Sequence, residues 1–222
     1  MSRKKHIFKL LLVGLILLGI HDVNAQRITP FKSWNQNQLA KANTAKSAEG
    51  LSFQEKKVIF YINLVRMNGA LFVDTYLKDY LEDVRVPKNK YYRSLVKTLK
   101  GLDSLPPLEP QEDISKECVK HAKEMGKKGK KGHRSGTGKS YSERMEKYKK
   151  RYKKVKELNQ YGDPDALSIV IDLLIDDGME SLVHRRAILS DDFNYIGVAI
   201  RAHKVYRVNT CLIFGGPLLT LD

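Results

Sequence analysis

Apolar residues recur with helical spacing in the first half of the chain. Val58, Ile62 and Val65 are three or four residues apart, which places them on one face of a helix. Ser52 precedes this stripe, and Glu55 lies three residues after Ser52. This arrangement is typical of a capping box, so we predict that a helix begins after Ser52.

A second stripe is formed by Ile114, Cys118, Ala122 and Met125. The positions between them carry mostly Lys and Glu, as expected for a helix that packs one face and exposes the other. Asp113 directly precedes the stripe and is the predicted N-cap.

Four further segments have helical character. We predict short helices over Ala70–Leu81 and Tyr91–Leu102, separated at Pro87. Tyr141–Lys154 is a basic helical stretch. Asp163 and Pro164 should cap a long helix whose apolar face includes Ala166, Ile169, Val170, Leu173 and Leu174.

The end of the chain favours strands. Tyr195–Arg201 and Val205–Phe214 are rich in Val, Ile and aromatic residues, and 202–204 separates them, so we predict an antiparallel hairpin. The glycine-rich segment Gly126–Gly138 is predicted to be a loop, with a short strand around His133. Helices followed by strands indicate an α+β fold.

The N-terminus has the pattern of a secretory signal. Basic residues precede the apolar run Leu10–Ile20, and small residues before Ala25 predict cleavage there. A membrane anchor is the alternative, but the run is short for a bilayer span. We predict a signal peptide at 1–25, a flexible polar leader at 26–51 and a single domain at 52–222. No later segment is apolar enough to cross a membrane, so the mature protein should be secreted or periplasmic.

Positive charge is concentrated in one stretch. The chain has a formal net charge of +15, and Lys123–Lys154 contains 14 Lys and Arg against three Glu. A solvated helical face is one interpretation. The other is attraction to polyanions such as envelope lipids, nucleic acid or acidic glycans. Nucleic acid is the less expected partner, although Tyr141, Tyr148 and Tyr152 would suit base stacking.

Two cysteines are present, Cys118 and Cys211. Export would permit a disulfide, whereas burial of both would favour two free thiols. Their spacing in the sequence does not decide between these states.

An ordered series of motifs extends from about Phe53 to Phe214. It contains His121-Ala122 with Met125, Gly132-His133 with Ser135, Glu143-Arg144-Met145, Glu157 before Gly162, and His184-Arg-Arg before Ile188-Leu189. The series resembles the bacterial branch of the CAP superfamily, which includes cysteine-rich secretory proteins, antigen 5 and plant pathogenesis-related proteins.

The resemblance implies a three-layer α-β-α sandwich with a central antiparallel sheet and a cleft. The helices at about 70–105 would then be a subfamily elaboration. Asn63 and Arg66 match an Asn-x-x-Arg signature, for which we expect a structural role. His121, in the His-Ala pair, is expected to pack or to form hydrogen bonds, and His203 should be solvated in the hairpin turn.

The resemblance also implies a cleft with two histidines and two acidic residues. His133 and His184 match the histidines, and Glu157 matches one acid. Asp172 or Asp176 could supply the fourth group. Leu158 and Val183 depart from the family pattern, which has Asn and Gly at those positions.

Such a cleft could bind zinc or another divalent cation through His133, Glu157 and His184, or perform acid–base chemistry. No nucleophile stands out. Ser135 matches a small polar position of the family, and Ser181 could cap the short helix that leads to Leu189. We therefore favour an extracytoplasmic binding module, for which the resemblance implies lipids or small apolar ligands. A metal-dependent hydrolase of envelope peptides or esters and a polyanion-binding protein are the alternatives.

Overall fold

A four-stranded sheet forms the centre of the computed structural model, which describes residues 33–84 and 88–220. The strands are β1 (Glu109–Pro110), β2 (Val155–Tyr161), β3 (Tyr195–His203) and β4 (Arg207–Gly215), in the order β1-β3-β4-β2. The predicted hairpin is confirmed, because β3 and β4 pair antiparallel from Tyr195–Gly215 to His203–Arg207. β2 is antiparallel to β4, whereas the short β1 is parallel to β3.

Helices cover both faces of this sheet. They are α1 (Gln36–Ala42), α2 (Phe53–Met67), α3 (Gly69–Phe72), α4 (Lys78–Val84), α5 (Lys90–Lys100), α6 (Glu112–Lys128), α7 (Tyr141–Lys149), α8 (Ala166–Ile175) and α9 (Val183–Ile188), with a π-helical segment at Val73–Leu77 between α3 and α4. The helices α6 and α7 share a core with Ala199, Cys211 and Ile213. A second core joins α2, α8 and their neighbours to Val198 and Leu212 on the other face. The fold is the three-layer α-β-α sandwich.

Most predicted helices are present. The capping box of Ser52 and Glu55 begins α2, and the apolar stripe of α6 is fully buried.

Two predicted caps are wrong. Gln111 is the N-cap of α6, and Asp113 inside the helix accepts a hydrogen bond from Tyr152 instead.

The cap of α8 is Asp165, whose side chain accepts a hydrogen bond from the backbone N–H of Ser168. Asp163 accepts the N–H of Asp165 and forms the preceding turn.

The basic helix is shorter than predicted. It ends at Lys149, and Tyr152 forms an isolated bridge to Leu218. The preceding helix α6 extends through Gly126 to Lys128 and ends at Gly129, whose φ of 64° is the left-handed conformation common at helix ends. No strand forms around His133 in the described loop between α6 and α7.

The predicted signal peptide lies outside the described residues. Residues 33–51 belonged to the predicted flexible leader, but they contain α1 and pack on the domain. Trp34 is 2% exposed and donates a hydrogen bond to Thr75 in the π-helical segment. The polar composition of this stretch led to the prediction of a flexible leader, although Trp34 anchors it to the domain. None of the helices in the described ranges has the length and hydrophobicity of a membrane span.

Asn63 and Arg66 connect α2 to distant parts of the chain. Asn63 accepts the N–H of Leu108 and donates to the carbonyls of Ala42 and Leu108. The Arg66 guanidinium, which is fully buried, donates to the carbonyls of Pro106, Ile188, Ser190 and Phe193. Both contact sets fit the structural role expected from the sequence.

Candidate functional site

His133 and Glu157 are in direct contact. The Nδ1 atom of His133 lies 2.9 Å from Oε1 of Glu157. The histidine side chain is 47% exposed, whereas the glutamate side chain is fully buried. Because an ionised carboxylate only accepts hydrogen bonds, the contact with Glu157 requires the proton on Nδ1, even though the amide nitrogen of Asn159 also lies 3.1 Å from that atom. The second ring nitrogen, Nε2, therefore remains available for a ligand.

Arg144 neutralises Glu157 from α7. Its Nη1 and Nη2 atoms donate to the two carboxylate oxygens at 3.0 and 2.6 Å, a bidentate arrangement. The same guanidinium contacts Glu117 of α6 at 3.1 Å. Burial opposes the ionisation of Glu157, but hydrogen bonds from His133 and Arg144 overcome this effect and lower its pKa to about 2.

Glu157 has no free oxygen for a metal ion. Besides these bonds, Oε1 accepts from Asn159 at 3.2 Å, and Oε2 lies 3.7 Å from the thiol of Cys211. Both cysteines are buried free thiols, which is one of the two states left open by the sequence. Burial raises the pKa of each thiol, so neither is suited to act as a nucleophile at neutral pH.

Two buried histidines hold the loop that carries His133. The Nε2 atom of His121 lies 3.0 Å from the carbonyl oxygen of Gly132, and Nε2 of His203 lies 2.9 Å from that of Lys130. The prediction that His203 is solvated is wrong, since it is only 4% exposed. Its Nδ1 atom accepts two backbone N–H groups of the hairpin turn, which draws the ring inward.

His184 forms a second imidazole–carboxylate pair, with Asp176. Its Nδ1 atom lies 2.7 Å from Oδ1 of Asp176, and Oδ2 accepts the backbone N–H of His184 at 2.8 Å. Asp176 ends α8 in the left-handed conformation with φ of 56° and is 4% exposed. The His184 side chain is 20% exposed, so a buried carboxylate again orients an accessible imidazole.

Arg185, the neighbour of His184, holds this turn in place. Its guanidinium donates to the carbonyls of Leu174, Ile175 and Tyr91 and to the hydroxyl of Ser94. These bonds connect α5, α8 and α9 around the second pair.

Both candidates for the fourth acidic position lie near His184. Asp176 contacts it directly, while Asp172, at the surface, interacts with it electrostatically. Partial desolvation, followed by the nearby carboxylates Asp176 and Asp177, raises the pKa of Asp172, although Gln160 and His184 oppose the shift.

Neighbouring side chains of β2 lie on different sides of the sheet. Glu157 meets Arg144 of α7, whereas Leu158 packs in the core formed with α2 and α8. Successive strand residues face opposite sides of a sheet, which accounts for this separation. Within 33–84 and 88–220, no three His, Cys, Asp or Glu side chains are arranged to hold a metal ion. The predicted set of His133, Glu157 and His184 is thus divided between two contacts.

The two serines considered as nucleophiles have other surroundings. The Ser135 hydroxyl contacts Thr137 and accepts the N–H of Lys139, which stabilises the loop. Ser181 is exposed in the turn before α9, but it is not the N-cap, since Leu182 occupies that position.

Family comparison matches this architecture. The model of the CAP, or cysteine-rich secretory protein, family matches residues 79–213, which is more than half of the chain. The chain therefore belongs to the CAP family. No curated protein matches it.

Two solved structures are similar to parts of the chain. One is an extracellular protein with an SCP domain from Bacillus anthracis, with 21% identity and a TM-score of 0.42 over 51% of this chain. The chain covers only 35% of that protein. The other is an outer surface protein of Borrelia burgdorferi, with 19% identity, a TM-score of 0.38, and coverage of 59% of this chain and 96% of that one.

Several members of the site were not assigned roles from the sequence. Arg144 was noted only as part of a motif, and Glu117 and Asn159 were not considered. The alternation of Glu157 and Asn159 along β2 is the signal that could have placed both on one face. The strand itself was not predicted, because its polar sequence VKELNQY has little apolar character.

Proposed function

We propose that this protein is an exported CAP-domain binding module that contacts its ligand through His133 and His184. The supporting observation is that Nδ1 of each imidazole contacts a buried carboxylate while the side chain remains partly exposed. A carboxylate that holds Nδ1 fixes the orientation of the ring and leaves Nε2 outside that contact, so less rotational freedom is lost on binding. Such an atom accepts a hydrogen bond, so it suits a ligand whose polar head donates one, such as a lipid hydroxyl group.

The test uses the mature chain, residues 26–222, labelled with ¹⁵N and titrated with monododecanoylglycerol, an uncharged lipid with free hydroxyl groups. We expect saturable chemical-shift changes at Nε2 of at least one imidazole, and an affinity loss of about tenfold or more in His133→Ala or His184→Ala. Hydrolysis of model esters should stay at the level of the solvent control. Unchanged affinity in both variants would overturn the assignment of these imidazoles.

A metal-dependent hydrolase is the second candidate. Its support is that a carboxylate on one imidazole nitrogen commonly orients the other nitrogen toward a metal ion. Zinc titration of the metal-free protein by calorimetry tests this alternative. One-to-one binding lost in both single variants would favour a shared site, whereas equal binding in all three proteins would contradict it.

Export is a separate part of the proposal. It is supported by the predicted signal and by membership of a family of secretory proteins. Mass spectrometry of the protein from cell envelope and culture medium should find a mature N-terminus at Gln26. An uncleaved chain in the cytoplasm would contradict this localisation.

A further inference from the structure

The outer surface of α6 carries a row of lysines. Lys116, Lys120, Lys123 and Lys127 are exposed and spaced by three or four residues, so they lie on one helix face. The row extends about 16 Å at a rise of about 1.5 Å per residue. It lies opposite the buried stripe that packs α6 onto the sheet.

A groove between α6 and α7 continues this surface. Its volume is about 390 Å³, and its lining includes Lys120, Lys139, Lys147 and Lys150. The floor contains the Glu117–Arg144 ion pair, which is already satisfied internally. We call this row and groove together the lysine face.

The lysine face keeps an excess of positive charge, although acidic groups lie on it. Glu117, Glu143 and Glu146 line the groove beside four lysines and Arg144. Glu146 lies 3.5 Å from Lys150, and Glu112 pairs with Lys116 at 2.7 Å. Within the described ranges, Lys120, Lys123, Lys139 and Lys147 form no ion pair with a carboxylate. Several uncompensated cations on one surface create a positive potential that attracts phosphate-rich partners.

The tyrosines of this region do not form a base-stacking surface. Tyr148 and Tyr152 are 3% and 1% exposed, and the Tyr141 hydroxyl donates to the carbonyl of Val155. This burial removes the feature that favoured single-stranded nucleic acid in the sequence. The large exposed apolar residues of the described chain are Phe53, Val84, Met179, Val205, Leu218 and Leu219, none of them on α6 or α7.

We infer that the lysine face is a peripheral docking surface for an anionic lipid bilayer. A lysine row beside a groove lined by lysines is complementary in charge to a surface of lipid phosphates. Among the described residues, α6 and α7 carry no large exposed apolar side chain, which indicates attachment without insertion into the bilayer. The proposed ligand contact through His133 and His184 is not required for this interaction.

The test is co-sedimentation of the mature protein with vesicles of phosphatidylglycerol and phosphatidylcholine, and with vesicles of phosphatidylcholine alone. We compare Lys120/Lys123/Lys139/Lys147→Gln with Lys41/Lys78/Lys88/Lys97→Gln. The control removes the same charge from exposed positions on or near α1, α4 and α5, in the opposite helical layer. Circular dichroism melts establish that both variants are folded.

We expect binding to the anionic vesicles only, with loss above about 0.5 M salt, as screening predicts. The lysine-face variant should bind at least about 50-fold more weakly, since each juxtamembrane lysine contributes on the order of fivefold. The control variant and His133→Ala/His184→Ala should stay within about fivefold of wild type. Equal losses in both lysine variants, no binding to anionic vesicles, or tighter binding to single-stranded DNA or heparin would overturn the proposal.

Discussion

Arg144 and Glu157 form a bidentate ion pair in which both side chains are almost completely buried, at 4% and 0% exposure. The pair joins α7 to the edge strand β2 and supplies the charge balance beneath His133. It explains how a carboxylate can remain ionised beside the sheet while an imidazole above it stays accessible.

Replacing Glu157 with Gln should strongly destabilise the protein. The change keeps the side-chain volume but leaves the Arg144 charge without a full counter-charge, which typically costs about 3–5 kcal/mol when a buried pair is broken. Urea unfolding at pH 7 measures the free energy of unfolding. Glu146→Gln, on the same helix as Arg144 but in an exposed pair with Lys150, should change the free energy of unfolding by less than about 1 kcal/mol. Similar values for the two variants would show that the buried pair is not stabilising.

The same glutamate predicts an acid-labile fold. Its pKa is lowered from 4.5 to about 2 in the folded protein, so the unfolded chain binds the proton more readily. Its contribution to stability is therefore fully present above pH 4.5 and is lost as the pH falls toward 2. Unfolding free energies measured between pH 6 and pH 2.5 should fall more steeply in wild type than in Glu157→Gln. Parallel pH profiles would contradict the lowered pKa.

His121 should contribute pH dependence in a higher range. Burial, followed by the effect of Arg144, lowers its pKa below 6.5, although Glu157 opposes the shift. The neutral ring is compatible with the fold, so its stability contribution is present above pH 6.5 and decreases as the pH falls. His121→Gln should flatten the stability profile between pH 7 and 5, because glutamine does not titrate. Its amide can still donate to the carbonyl of Gly132, which preserves that contact. His203→Gln, at the other anchor of the loop, is the comparison, and an unaltered slope in His121→Gln would exclude the assignment.

The fold was largely predictable because the apolar stripes and the hairpin depend on local periodicity. Residues such as Val58 and Ile114 carry that signal in the sequence itself. The leader was misjudged because the burial of Trp34 depends on a partner 41 positions away. Strand β2 was missed because its sequence is polar, and the burial of Glu157 depends on Arg144 of α7, 13 positions away.

The motifs of the sequence indicated residues that form contacts in the structure, but not how those contacts are arranged. His133 and Glu157 meet as the motifs implied, and His184 is adjacent to an acidic residue. The spacing of motifs does not reveal which face of β2 each side chain occupies. It also could not show that Arg144 uses both oxygens of Glu157, which removes that residue from the set of free metal ligands.

Arg185 and Arg186 provide a matched pair for testing the turn around His184. Arg185 is 2% exposed and donates to three carbonyls and one hydroxyl, whereas Arg186 is exposed. Lysine cannot reproduce the planar fork of donors, so Arg185→Lys should destabilise the protein by about 2–4 kcal/mol. Arg186→Lys should lie within about 0.5 kcal/mol of wild type. Equal stabilities in urea would show that these hydrogen bonds do not hold the turn.

Tautomer measurements test the orientation of the four imidazoles in the described part of the chain at once. Because carboxylates accept from Nδ1 of His133 and His184, the neutral rings should carry their proton on Nδ1. His121 and His203 should carry it on Nε2, which faces backbone carbonyls. Long-range ¹H–¹⁵N spectra above pH 8 distinguish the two forms, and Asp176→Asn should alter the pattern at His184 alone. If His133 and His184 were found in the Nε2–H form, the proposal that Nε2 is an acceptor pre-oriented for a ligand would lose its basis.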